Sequence, residues 1–376
     1  MVRLMNKDTT NIVNKIINSC YPIVELKNNL KKTIKKIDGF NLIKDKRLEE
    51  VKDVSLPPEL ESNYSEIDYK RIMTYKFSKE ISKFARIMSD NFSNDNLIML
   101  YNNINDLQIE KIYFNDQKEL LKNFIFKKGD TIINVASYNS YFNRIRVTEK
   151  DAEIDLPHEL FHMASSICLD DGYTIYGGFE QILLKSNIII GTGLNEGYTE
   201  LMVAKYYSPE LLTNSQSYQY LYEVAQNLDL ILGEYNMEHY YLTANLKGVV
   251  DSLAHYMSND SIMDFIAATD YICKNVNEEK KNRKKKDKIY EQLKFVNNFL
   301  IECATRKAAK LFLNQEITID DIVPVIKKNL KRTHSVIMRG QKFRSFPNTQ
   351  QLCELIIRVL NEYDIVAFID ENYRHK

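Results

Sequence analysis

Residues 158–162 read His-Glu-Leu-Phe-His, and that spacing constrains the fold more than any other stretch of the chain. On an α-helix, positions four apart project from one face, so both imidazoles reach a common point only if this stretch is helical. Glu159 follows the first imidazole and turns toward the adjoining groove, where it can take a proton from a water held at that point. Two neutral imidazoles begin a zinc site, and bound zinc lowers the pKa of its water to about 7. Histidine is scarce here, 6 among 376 residues. Two of them falling four apart with Glu directly behind the first has a chance probability on the order of one in a hundred.

Two imidazoles do not complete a tetrahedral site, so a third protein ligand is expected from another element. Asp170 and Asp171 lie too close to the end of the first helix to fold back, and Glu180 falls in β-like sequence. Gly193-Leu194-Asn195-Glu196-Gly197-Tyr198-Thr199-Glu200 meets the need. Glu196 and Glu200 share one helical face, so one carboxylate can bind metal while the other supports it. The interval from His162 to Glu196 leaves room for a hairpin that returns the chain to the first helix. Gly197, next to the candidate ligand, removes a side chain where two helices must approach closely. An acidic first turn is also an ordinary helix start, favoured by the helix dipole; the preceding HExxH separates the two readings.

HExxH followed by Asn-Glu-x-x-x-acid resembles the gluzincin arrangement of zinc metallopeptidases, the thermolysin-like clan. The resemblance covers roughly residues 130–207 and implies His158, His162 and Glu196 as zinc ligands and Glu159 as general base. Glu200 then matches the acid that orients a ligand histidine, His158, through its free ring N–H. That acid is often Asp in the family and is Glu here, which lengthens its reach. The interval before the third ligand is longer than in the simplest members. Gluzincins also supply a His or Tyr from a later helix to stabilise the developing oxyanion. His239 and Tyr240 are the candidates taken here, beside Tyr241 and His255; His334 and His375 have no supporting context.

Around these motifs the sequence reads as α+β and predominantly helical. It implies a zincin-like core with a small, largely antiparallel sheet beside the HExxH helix and a helical C-terminal half. Helical periodicity covers 8–37 and 66–92, where Ile67, Tyr69, Ile72, Tyr75, Phe77, Ile81, Phe84 and Ile87 fall near one face, and Leu56-Pro57-Pro58 makes a loop between them. Thr131–Val135 and Tyr141–Val147 are rich in β-branched and aromatic residues, with a turn at Tyr138-Asn139-Ser140. The second of these strands can form the cleft edge that pairs with an extended substrate. The HExxH helix is expected to start at Asp155 or Leu156, with Pro157 in its first turn, and to run to about Cys168. Two β-like segments, 173–180 and 182–190, precede a second helix from Leu194 or Asn195. Residues 215–361 read as nearly all helix, with an apolar segment Ile365–Ile369 beyond. The organisation that follows is a helical N-terminal extension (1–110), a zinc-binding catalytic core (111–260) and a helical C-terminal region (261–376).

Charge narrows the partners. Lys+Arg and Asp+Glu both number 51, and that balance gives no general nucleic-acid binder, which needs an excess of cations. The run Lys280–Lys288 reads as a solvated helix face or linker. No apolar run is long enough for a membrane span, no secretory signal is read at Met1, and five scattered cysteines (Cys20, Cys168, Cys273, Cys303, Cys353) form no CxxC pair. These features suggest a cytoplasmic chain with reduced, mostly buried thiols, acting on a peptide or protein substrate with no nucleic-acid or membrane partner. Two alternatives stand beside the peptidase: an idle, zinc-stabilised binding or regulatory protein, and a metallohydrolase acting on a bond other than a peptide.

Overall fold

A computed structural model describes residues 70–72, 77–105, 107–112, 136–140, 142–148, 152–169, 174–183, 186, 188–207, 216–275, 283–330, 337–338, 341–342 and 347–363. The helix expected over 8–37, the Leu56-Pro57-Pro58 loop, the strand Thr131–Val135 and the segment Ile365–Ile369 lie outside those residues.

The first sheet holds β1 (Lys70–Ile72), β2 (Gln108–Ile112), β3 (Ala136–Asn139) and β4 (Arg144–Thr148) in the order β1-β2-β4-β3. β1–β2 and β4–β3 are antiparallel and β2–β4 is parallel. Ile109, paired with Ile145, and Val147 are fully buried beneath it. This corrects the N-terminal reading: residues 70–72 are strand, not helix, because their backbone pairs with β2. Helix α1 begins at Ser78 and ends at Asn91. Its buried stripe is Ile81, Phe84 and Met88, at helical spacing. The segment expected to be a helical extension therefore supplies β1 and most of β2 as well as α1 and the short α2 (Ile98–Asn103).

The turn between β3 and β4 also shifts. Tyr138 and Asn139 are strand residues, and Ser140, Phe142 and Asn143 are turn residues. Asn143 adopts φ 47, a left-handed conformation that asparagine tolerates better than most residues. The Asn139 side chain accepts from Phe142 N–H (3.1 Å). β4 is consequently an interior strand and β3 is the sheet edge, with no further strand beside it among the described residues.

Helix α3 spans Ala152–Ala164 and packs across β3 and β4. It starts earlier than expected, so Pro157 sits inside it and deprives the Glu153 carbonyl of an intrahelical N–H just ahead of His158. It also ends earlier. Ser165 Oγ donates to Phe161 O (2.9 Å), Ser166 Oγ to His162 O (2.6 Å), and Asn103 Nδ2 from α2 to Met163 O (2.8 Å). These side chains satisfy the terminal carbonyls, and the chain leaves as a strand.

A second, four-stranded antiparallel meander then runs in chain order: β5 (Ser166–Cys168), β6 (Thr174–Gly177), β7 (Glu180–Leu183) and β8 (Ile188–Ile190). It replaces the simple hairpin expected between the two motif helices. Helix α4 (Thr192–Tyr206) follows and is buried on nearly every side. The rest is mainly helical: α5 (Gln216–Leu232), α6 (Glu234–Leu242), α7 (Leu246–Ala254), α8 (Asn259–Asn275), α9 (Arg283–Leu313), α10 (Ile322–Asn329) and α11 (Thr349–Glu362). One small hairpin, β9 (Ile337–Met338) with β10 (Gln341–Lys342), interrupts it. The described part of the basic run, from Arg283, forms the start of α9.

One hydrophobic cluster extends from Ile81 to Leu360 and draws on all three segments marked out in the sequence. Of the four cysteines described, Cys303 is buried, Cys168 and Cys273 are half-buried and Cys353 is exposed. No helix among the described residues is long and apolar enough to cross a membrane.

The close approach anticipated at Gly197 is present, and the partner is α5: a Cβ there would lie 2.4 Å from the Leu221 carbonyl oxygen. Gly197→Ala, a change that favours an unhindered helix by about 0.5–1 kcal/mol, is therefore expected to cost about 1–3 kcal/mol through overpacking. The measurement is the urea unfolding midpoint; an unchanged or higher midpoint would show that α4 and α5 part freely.

Candidate metal centre

α3 and α4 each present one polar face, and the two faces meet. Among the described residues, the His/Cys/Asp/Glu group able to hold a metal is His158, His162 and Glu196, with ligand atoms within 4.8 Å of one another. His158 Nε2 lies 2.9 Å from His162 Nε2 and 3.1 Å from Glu196 Oε2, and His162 Nε2 lies 3.6 Å from Glu196 Oε1. A tetrahedral ion with bonds of 2.0–2.2 Å holds its donors about 3.3–3.6 Å apart; the His162–Glu196 spacing matches that, and the two spacings from His158 are a few tenths of an ångström shorter. Their side chains keep 10, 12 and 18 % of their surface exposed, which leaves the common point reachable.

Each ring is fixed from behind. His158 Nδ1 lies 3.1 Å from Glu200 Oε1, and Glu200 is almost fully buried. A ring whose Nδ1–H faces a carboxylate presents its Nε2 lone pair to the centre. His162 Nδ1 lies 3.3 Å from Asn195 Nδ2, while Asn195 Oδ1 accepts from Phe179 N–H (3.2 Å). The two contacts differ in sense: Glu200 accepts from His158 Nδ1, whereas the Asn195 amide nitrogen can only donate to His162 Nδ1, which places that neutral ring's proton on Nε2. The sequence reading used Asn195 only as part of a motif; its place one residue before the ligand is the signal that could have revealed it.

Glu159 is buried beside the rings, and a hydrogen bond from the Tyr138 backbone amide of β3 reaches its carboxylate. Burial raises its pKa above the usual carboxylate value, while His158, His162 and the Tyr138 N–H pull the other way. Burial disfavours the charged form of His158, yet Glu196 and Glu200 raise its pKa well above the ordinary imidazole value. Burial would also raise Glu196, but His162 and His158 hold it well below the carboxylate range. Three carboxylates around two imidazoles are short of positive charge, and whatever cation enters is stabilised there.

The other site candidates are engaged elsewhere. His239 Nδ1 lies 2.6 Å from Asn96 Oδ1, and the Tyr240 hydroxyl lies 3.1 Å from Ser252 Oγ. Tyr241 is fully buried, with its hydroxyl 2.7 Å from Thr199 Oγ1 and a further bond to Ser165, so it ties the end of α3 to α4. His255 is exposed at the end of α7. The structure brings together His158, Glu159, His162, Glu196 and Glu200; it does not bring His239 or Tyr240 to them by any of these bonds.

No protein-family model, no curated protein and no solved structure matches the chain.

The centre is expected to take up a divalent ion with a dissociation constant that His162→Ala raises steeply. Glu200→Gln, which leaves all three ligands in place, should weaken binding by about 10–100-fold. Competition with a chelator of known affinity measures both; equal affinity for wild type and His162→Ala would remove the centre from consideration.

Proposed function

We propose that this chain is a zinc-dependent metallopeptidase of the gluzincin type, with a zincin-like core made of the first sheet, α3 and α4. The observation that carries the reading is the convergence of His158, His162 and Glu196, from two separate helices, with ligand atoms within 4.8 Å of one another. Two nitrogens and one carboxylate suit zinc and leave a coordination position for water. Zinc, when bound, supplies a Lewis acid and a water acidified to near neutrality.

The chain's own residues divide the remaining work. Glu159 sits beside the ligands, and its raised pKa makes it a better proton acceptor near neutral pH. It takes the water's proton and passes it to the leaving amine nitrogen as the peptide C–N bond breaks. The Tyr138 N–H holds that carboxylate toward the sheet edge. Glu200 keeps the His158 ring oriented. β3, rather than the interior β4, is the strand beside which an extended peptide would lie, since its edge adjoins α3. The substrate is therefore a peptide or a protein segment in extended form.

Glu159→Gln separates this reading from an idle metal-stabilised protein. It is expected to retain the metal and to lose about 10²–10⁴ in turnover of cleaved peptides. Cleavage is followed by mass spectrometry on a peptide library. Equal turnover by the variant, or no peptide cleaved by the zinc-loaded wild type, would sink the peptidase assignment.

A further inference from the structure

We propose that Asp270 is a positioning residue for the metal centre: from α8 it fixes the first turn of α4, and through that turn the place of Glu196 against the two imidazoles. The inference rests on the metal-centre reading above and adds a residue far from both motifs.

A helix start leaves backbone N–H groups without intrahelical partners, and a side chain at the N-cap ordinarily satisfies one. α4 cannot use that solution. Its N-cap is Gly191 at φ +83, and a Cβ there would lie 2.0 Å from the Phe179 carbonyl oxygen. No side chain fits, so the cap has to arrive from elsewhere in the fold.

It arrives from Asp270. One carboxylate oxygen accepts from Gly191 N–H (2.9 Å) and the other from Gly193 N–H (2.8 Å). Two bonds to one planar group fix the rotation of the turn as well as its distance from α8. Room to drift is absent, since a Cβ on Gly193 would meet the Thr269 carbonyl at 2.4 Å. Thr192, between those glycines, donates to Glu180 Oε1 on β7 (2.6 Å), so the same turn is also tied to the second sheet.

The turn leads directly into the site. Asn195 N–H bonds back to Gly191 O (2.9 Å), Asn195 Nδ2 lies 3.3 Å from His162 Nδ1, and Glu196 is the next residue. Movement of the first turn therefore carries the third ligand with it. A full carboxylate in this place is costly: burial pushes Asp270 up to about 7 in spite of its two N–H bonds, and Glu180 adds a like charge while Lys274 offsets it. The two capped amides stand five and three residues before the ligand Glu196 in sequence.

The test uses the full chain loaded with Co²⁺, whose visible absorption reports ligand geometry. Asp270→Asn keeps the shape and removes one acceptor. It is expected to bind Co²⁺ and Zn²⁺ about tenfold more weakly, at the lower end of the loss seen for groups that support metal ligands, and to shift the visible band. Asp270→Glu, which retains both acceptors on a longer arm, should fall between wild type and Asp270→Asn. A lower unfolding midpoint for Asp270→Asn with wild-type affinity and an unchanged band would overturn the inference, leaving Asp270 a structural cap. Should Asp270→Asn fail to show wild-type circular dichroism, Asp270→Glu against wild type decides the question by the same two readouts. If wild type and His162→Ala take up Co²⁺ alike, the metal centre itself is lost and this inference with it.

Discussion

Two imidazoles and three carboxylates share a space that water barely enters, and the sum of their charges is negative unless a cation joins them. Ions of like sign in a medium of low effective dielectric repel strongly, and each lost hydration shell costs several kcal/mol or more. The arrangement is tenable because Glu196 and Glu200 both face His158, and because the cluster stabilises any positive charge placed at its centre. A proton on each ring is one such charge; a divalent ion bonded to His158, His162 and Glu196 is another, with better geometry for the carboxylate. Much of the surrounding fold can be understood as what is needed to force α3 and α4 together against this repulsion.

α4 is held along its whole length. At its start Asp270 takes two backbone bonds. In the middle, Thr199 and Tyr241 connect it to the end of α3. Near its end Lys205 lies among Asp229 (2.5 Å), Glu234 (2.8 Å) and Glu238 (3.1 Å). Tyr198 and Tyr206 donate to Asp229 and Glu238. Burial pushes Asp229 up to about 6 even with Lys205 and Tyr198 pulling it down. Glycines at 193 and 197, one turn apart on the helix, let α8 and α5 approach it closely. A ligand-bearing helix fixed at three points loses little freedom when an ion binds, and such preorganisation is what a precise metal site requires.

What could be read from the sequence was local. The imidazole spacing, the carboxylates at 196 and 200 and the small residue at 197 follow from helical geometry within a few residues, and these are the parts the structure assembles as expected. The features that escaped depend on distant pairing. Residues 70–72 look compatible with a helix until β2 is available to pair with them. Where α3 stops, Asn103 from another element takes the Met163 carbonyl and also the Ser166 carbonyl of the strand that follows. Four short strands occupy a region whose sequence suggested two, since three-residue strands carry too little alternation to be told from loops. Asp270 is invisible for the same reason: nothing on α8 marks it until Gly191 and Gly193 are seen to face it.

The displacement of the sheet edge from β4 to β3 bears on chemistry as well as topology. Tyr138 pairs with Ile145 on one side, and its N–H is turned to the other, where Glu159 receives it. The carboxylate that would act as base is therefore coupled to the backbone of the strand that would receive substrate. Its proton affinity is set by opposing effects, burial against two nearby rings and one N–H, and burial prevails. A metal ion at the centre would add positive charge close by and draw that affinity down. In the proposed reaction the same carboxylate must first accept a proton and then release it to nitrogen, which demands an affinity between the extremes. Opposed influences of this kind are the physical means by which one side chain can serve both steps.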